Sequence, residues 1–139
     1  QRNCETASSP KESVMEFIHA PKACASVGPY SHCVKAGSTY YLCGQVPFHP
    51  VTGEVVGNGM KEQAVQTLAN MKAVLEAAGL AVTDIAKTTV FVTNMDDFAA
   101  FNEVYAAFMG EHRPARVCVE VSNIAHGCLL EMDAICFKE

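Results

Sequence analysis

Residues 114–137 read PARVCVEVSNIAHGCLLEMDAICF, and the alternation within them decides the fold class. Two runs, 116–123 and 129–137, repeat with the period of two that a β-strand imposes on its side chains. A short turn containing Gly127 separates them. Leu130, Met132, Ala134 and Cys136 form an apolar row on the second run; Val117, Val119 and Val121 form one on the first. Both rows are expected to pack under helices. The opposite rows are Arg116, Cys118, Glu120 and Ser122, and Leu129, Glu131, Asp133, Ile135 and Phe137. They mix charge with large apolar groups. A face open only to water has no need of Ile135 and Phe137, so this one is expected to meet another subunit.

Working outward, residues 60–78 carry the clearest helical period. Ala64, Leu68, Met71, Leu75 and Ala78 fall on one face, and Gly79 supplies a stop. A β-branched run at 85–92 reads as a strand. Asp96 or Asp97 caps a second helix in which Phe98, Phe101, Tyr105 and Phe108 share a face, and Gly110 ends it. Nearer the start, 14–19, 32–36 and 39–43 read as strands, the last two joined at Gly37-Ser38. Residues 20–31 read as a loop and 50–53 as a turn. The order is β-β-β-α-β-α-β-β, an α+β chain. Two helices cannot cover both faces of a sheet this size, so both are expected on one face.

The 139 residues suit one domain. Residues 14–139 are read as that domain and 1–13, which are polar, as a flexible tail. The tail lacks the apolar stretch of a signal peptide and is a poor transit peptide. No apolar run approaches the roughly 20 residues that span a bilayer, so no membrane association is expected. A net charge of −5, without any run of five basic residues, speaks against a nucleic-acid partner. Seven cysteines are scattered with no CxxC pair, several of them in apolar alternating runs. This is the usage of a reducing compartment rather than a disulfide framework. The expected location is the cytoplasm, with a mitochondrion or other organelle left open.

Among residues able to carry chemistry, Arg116 stands first. A guanidinium at the start of a strand suits bidentate capture of a carboxylate. On spacing alone, a solvated arginine or an intersubunit ion pair is the commoner role. Glu131, expected on the antiparallel neighbour of the Arg116 strand, has the chemistry to orient or deprotonate a water, or to serve as a paired structural acid. With Asp133 it also fits a general acid/base pair, a pattern that any two alternating acids produce. Cys118, two residues beyond Arg116 on the same face, becomes a nucleophile only if the arginine lowers its pKa. His126-Gly127-Cys128 and His32-Cys33 do not have zinc spacing, and no metal is expected. Gly57-Asn58-Gly59 lacks the other parts of a phosphate loop and reads as a helix-entry turn. There is no GxSxG or HExxH.

Several segments taken together are more specific than any one. They are 28–31 GPYS, 43–47 CGQVP, 52–54 TGE, 70–79 NMKAVLEAAG, 87–92 KTTVFV, 97–98 DF, 101–105 FNEVY, 114–121 PARVCVEV and 131–135 EMDAI. In this order and spacing the chain resembles the RidA/YjgF family of reactive-intermediate deaminases across about residues 18–138. The resemblance implies a chorismate-mutase-like fold of the bacillary type and a homotrimer whose sheets line a central barrel. It implies active sites in clefts between subunits. The implied reaction is hydrolysis of 2-imino or 2-enamino acids, such as 2-aminoacrylate and 2-iminobutanoate, to 2-keto acids and ammonia. It needs no cofactor or metal, and pyridoxal-dependent dehydratases supply the substrates. By the same resemblance Arg116 is the carboxylate clamp and Glu131 positions the attacking water. Tyr30 closes over the substrate, Asn102 lines the pocket, Gly44 permits close approach, and Cys118 contacts ligand through its backbone.

Two departures bear on this. Cys43 stands where the family usually has serine, and a thiol donates a weaker hydrogen bond than a hydroxyl. Ile124-Ala125-His126-Gly127 replaces a common Leu-Pro turn, so pocket size can differ, and His126 there is either a titrating donor or a solvated turn residue. Two other functions remain open. One is an endoribonuclease, as some relatives are labelled. The other is a non-catalytic trimer that binds small carboxylates or partner proteins.

Overall fold

Gly37 adopts φ +61, a conformation open to glycine at little cost, and the chain reverses there between the first two long strands. The computed structural model describes residues 14–139. The expected tail, 1–13, lies outside the described residues. The strands are β1 (Glu16–Ile18), β2 (Cys33–Ala36), β3 (Thr39–Gln45), β4 (Ile85–Val92), β5 (Ala115–Glu120) and β6 (Leu130–Phe137). The helices are α1 (Met60–Ala77) and α2 (Phe98–Met109), with short 3-10 turns between elements. This is a mixed α+β fold in the expected element order, with one six-stranded sheet ordered β1-β2-β3-β6-β4-β5.

Both helices lie on one face of the sheet. Ala64, Leu68, Met71 and Leu75 of α1 are buried, as are Phe101 and Tyr105 of α2. They pack with Leu130, Met132, Ala134 and Cys136 in one cluster, so the β6 row lies under the helices as expected. Two buried amides of α1 anchor neighbouring loops. Asn70 Nδ2 donates to the carbonyls of Val46 and Phe48 at 2.9 and 2.8 Å. Gln63 accepts from Leu129 N at 2.8 Å and donates to Gly57 O at 3.1 Å. Asp97 stands at the N-cap of α2 without a side-chain bond; the capping bond is one turn earlier, from Asp96 N to Asn94 Oδ1 at 2.9 Å.

The last two strands are not neighbours. β5 runs parallel to β4 at the sheet edge, with Arg116 opposite Thr88. β6 is inserted between β3 and β4, antiparallel to both. The turn at residues 125–127 therefore begins a crossover rather than closing a hairpin, and β5 stops at Glu120 instead of residue 123.

This register also reverses the expected facing of β5. Thr88, Val90 and Val92 are fully buried on the helix side. Their partners on β5 are Arg116, Cys118 and Glu120. Val117 and Val119 instead point to the open face, 43% and 39% exposed. Val121 packs in a second small cluster with Phe48, Ile124 and Cys128. Alternation specifies the period of a strand but not which row faces the core; pairing with β4 decides that.

Candidate active site

Arg116 sits at the edge of the sheet on its helix side, where α2 crosses. Phe98, Asn102 and Tyr105 fall at i, i+4 and i+7 on this helix and so share the face directed at the arginine. Asn102 Oδ1 accepts a 2.7 Å hydrogen bond from Arg116 Nη1. The guanidinium carbon lies 5.3 Å from the centre of the Phe98 ring and 4.9 Å from that of Tyr105. Tyr105 is itself fixed by a 2.9 Å bond between its hydroxyl and that of buried Thr88. Arg116 thus has a neutral acceptor at one nitrogen and aromatic faces nearby. Among the described residues the one ion pair joins Lys61 to Glu103, so no carboxylate occupies the guanidinium. Its other N–H groups are free to take an anion from the adjoining cavity of about 390 Å³, which Asn102, Tyr105, Ala106, Arg113, Pro114 and Arg116 line.

A second cluster gathers Tyr30, Cys43, Gly44 and Glu131. The pairing of β3 with β6 slips between Leu42 and Gln45, so Cys43 and Gly44 lie in an irregularity. A Cβ on Gly44 would come 2.8 Å from Glu131 Oε1 and 3.0 Å from its Cδ. Gly44 is a close-approach glycine because the Glu131 carboxyl lies against its backbone. Burial raises the Glu131 pKa above the ordinary glutamate value, and the charge of Asp133 raises it further. A carboxylate whose pKa is raised is a stronger base. Cys43 Sγ accepts from Gln45 Nε2 at 3.1 Å. Burial pushes the Cys43 thiol up, and the Gln45 bond opposes this only in part. Tyr30 is half exposed and lines a small cavity with His32, Cys43 and Gly44.

The two clusters do not meet within one chain. Glu131, Phe91 and Val119 form one row across β6, β4 and β5. The Arg116 row, through Thr88 to Ala134, lies on the other face. Glu131 is not on the strand beside Arg116, and the two side chains lie on opposite sides of the sheet. The structure brings together Arg116 with Asn102, and separately Tyr30, Cys43, Gly44 and Glu131. Cys118 follows Arg116 on the helix side and packs against the main core. Its pKa is raised, because burial outweighs the nearby Arg116 charge. The condition for Cys118 as a nucleophile therefore fails.

Three contributors were not expected as site residues. Phe98 and Tyr105 back the arginine, and the signal for them was their helical spacing from Asn102. The third is His32, which is 2% exposed and supports the loop that carries Tyr30. Its Nδ1 accepts from Ala20 N at 2.9 Å, so its Nε2 donates to Cys24 O at 2.8 Å. No sequence pattern announced it. His126 has φ 56 and meets the Phe48 ring edge-on at 5.4 Å, at the end of the second cluster. Among the described residues no three His, Cys, Asp or Glu side chains gather closely enough to hold a metal ion. No helix among them is long and apolar enough to cross a membrane.

Comparison with known proteins places this arrangement in a family. The family model described as Endoribonuclease L-PSP matches residues 18–138. A RutC family protein of Pyrococcus horikoshii is 48% identical over 124 residues, covering 89% of this chain and 98% of the relative. The 2-iminobutanoate/2-iminopropanoate deaminase of Escherichia coli K12 is 45% identical, covering 87% and 96%. Among solved structures, E. coli TdcF with bound serine superposes with a TM-score of 0.84 at 41% identity, covering 89% and 99%. The E. coli YjgF gene product gives 0.84 at 43%, with the same coverage. The chain belongs to the RidA/YjgF family, the group also described as endoribonuclease L-PSP.

Proposed function

We propose that this protein hydrolyses 2-imino and 2-enamino acids, such as 2-aminoacrylate and 2-iminobutanoate, to 2-keto acids and ammonia. The observation that carries the reading is Arg116, oriented by Asn102 and two aromatic rings, with no carboxylate partner among the described residues and an open cavity beside it. The deaminase name of the E. coli relative and the serine bound to TdcF support a ligand with the α-carboxylate of an amino acid.

The assembly we propose is a homotrimer of chorismate-mutase-like subunits whose open sheet faces line a central barrel. Tyr41, Val117, Val119 and Phe137 are exposed large apolar residues on that face or its strands, which supports burial against another copy. Trimerisation also answers the geometry of the two clusters. Arg116 and Asn102 of one subunit would face Tyr30, Cys43, Gly44 and Glu131 of the next, completing a site that one chain lacks.

In this site the substrate carboxylate binds Arg116, and Tyr30 closes over it. Cys118 contributes backbone contacts, and Cys43 and Gly44 border the substrate. Glu131, a stronger base when ionised because burial raises its pKa, orients a water toward the imine carbon. The water oxygen bonds to that carbon and the carbon–nitrogen bond breaks through a carbinolamine. The protons of the water pass to nitrogen, which leaves as ammonia. No electrons are exchanged with another reactant, and positioning does most of the work. Pyridoxal-dependent dehydratases would supply the imine, in the cytoplasm or an organelle that houses them.

The test is a coupled assay in which threonine dehydratase generates 2-iminobutanoate and semicarbazide traps the free imine. The wild type should suppress the adduct. Arg116→Ala should not, while keeping the oligomer intact. Adduct formation unaffected by the wild type, or full activity in Arg116→Ala, would overturn the reading. The family description also names a ribonuclease, which single-stranded RNA in the same preparation checks directly.

A further inference from the structure

We propose that the cavity beside α2 is a two-cation subsite, and that it favours imino acids bearing a second, distal carboxylate. The inference rests on the deaminase reading and specifies its substrate class.

Arg113 and Arg116 line the same cavity of about 390 Å³. Arg113 is held by one nitrogen: its Nη1 donates to Gly110 O at 2.6 Å and to His112 O at 2.9 Å. Those carbonyls lie at and just beyond the C-terminus of α2, the negative end of the helix dipole. They fix the guanidinium in place and leave its Nε and Nη2 donors for a ligand. Pro114 and Ala115 separate the two arginines, and Pro114 stiffens the backbone there, having a fixed φ. Three residues of extended chain span at most about 10 Å, and both side chains border the same cavity, so they can reach one small ligand together. No carboxylate pairs with either among the described residues, where Lys61–Glu103 is the one ion pair.

A single carboxylate occupies one guanidinium. A 2-imino dicarboxylate would occupy both, its α-carboxylate on Arg116 and its distal carboxylate on Arg113. Oxidation of an acidic α-amino acid at its Cα–N bond generates this class of imine. Its hydrolysis balances as before, with water entering, ammonia leaving and a 2-keto dicarboxylate as product. The competing role for Arg113 is only to cap the helix through its Nη1 bonds.

The test compares imines released by amino-acid oxidases from glutamate and from 2-aminobutanoate, trapped with semicarbazide, for the wild type and Arg113→Gln. The ratio of kcat/KM for the dicarboxylate over the monocarboxylate should fall about fivefold in Arg113→Gln, the upper end for one exposed ion pair. A ratio unchanged within about twofold, with or without a lower melting temperature, would overturn the subsite and leave Arg113 as a cap. A wild type that consumes neither imine refutes the deaminase reading instead. In that case calorimetric binding of 2-oxoglutarate against 2-oxobutanoate reads the subsite directly. A dianion preference that Arg113→Gln abolishes supports it, and no preference overturns it.

Discussion

Replacing Asn102 by alanine removes the one side chain that, among the described residues, hydrogen-bonds the Arg116 guanidinium, at 2.7 Å. A hydrogen bond to a charged group contributes about 1.5–3 kcal/mol. Both residues are only half-buried, so the lower end applies. Phe98 and Tyr105, at 5.3 and 4.9 Å, stay in place and hold the cation near the cavity with about 0.5–1 kcal/mol each. What is lost is the angle at which the guanidinium presents its free edge. A loss of about 1.5 kcal/mol in transition-state binding lowers kcat/KM roughly tenfold. Asn102→Asp should do more harm than Asn102→Ala, because a carboxylate at that position occupies the guanidinium that the substrate needs. It should act mainly by raising KM. The assay is semicarbazide competition across a range of imine fluxes, with melting temperature measured on each variant. If Asn102→Ala keeps kcat/KM within about twofold of wild type, the bond does not orient Arg116 for catalysis. If Asn102→Asp is the milder variant, substrate does not compete for that guanidinium.

Two further perturbations address the other cluster and the assembly. Burial and Asp133 raise the Glu131 pKa, so the ionised form is disfavoured in the folded state. The acid limb of kcat/KM should therefore lie at higher pH than an ordinary glutamate would set, and Glu131→Gln should lose it along with activity. In stability, this contribution is present below the unfolded pKa and lost as pH rises through the raised folded one. Glu131→Gln should thus raise the melting temperature at pH 7 and lose that advantage toward pH 4; a variant less stable at pH 7 contradicts the burial argument. Val119→Asp places a charge on the open sheet face, where Val119 is 39% exposed in the single chain. It should yield monomers in light scattering and abolish imine hydrolysis by separating the two clusters; an intact trimer would show that this face is not the interface.

The helices were legible because their apolar residues recur at helical spacing and glycines stop them. Gly110, with φ +63, ends α2 where expected, and α1 ends within a residue of its expected boundary. The Arg116 environment was half legible. Asn102 follows from the resemblance, whereas in the sequence Phe98 and Tyr105 stand only as members of one aromatic helix face. Their spacing from Asn102 carried the information, but one helix face serves core and site alike until a strand is set against it. His32 was not legible, because its partners are backbone groups of a loop that no local pattern places.

Local periodicity by itself determined the kinds and order of the elements, the apolar faces of the helices and the buried row of β6. These depend on neighbours a few residues apart, which any stretch of chain contains. Strand partners and the facing of β5 belonged to tertiary structure. β6 enters between β3 and β4, and β5 aligns parallel to β4, through hydrogen bonds between segments distant in sequence. A one-residue change of register turns every side chain of a strand to the other face. That pairing places Arg116 on the helix side and Glu131 on the open side, and so separates within one chain two residues that alternation alone had placed on one face.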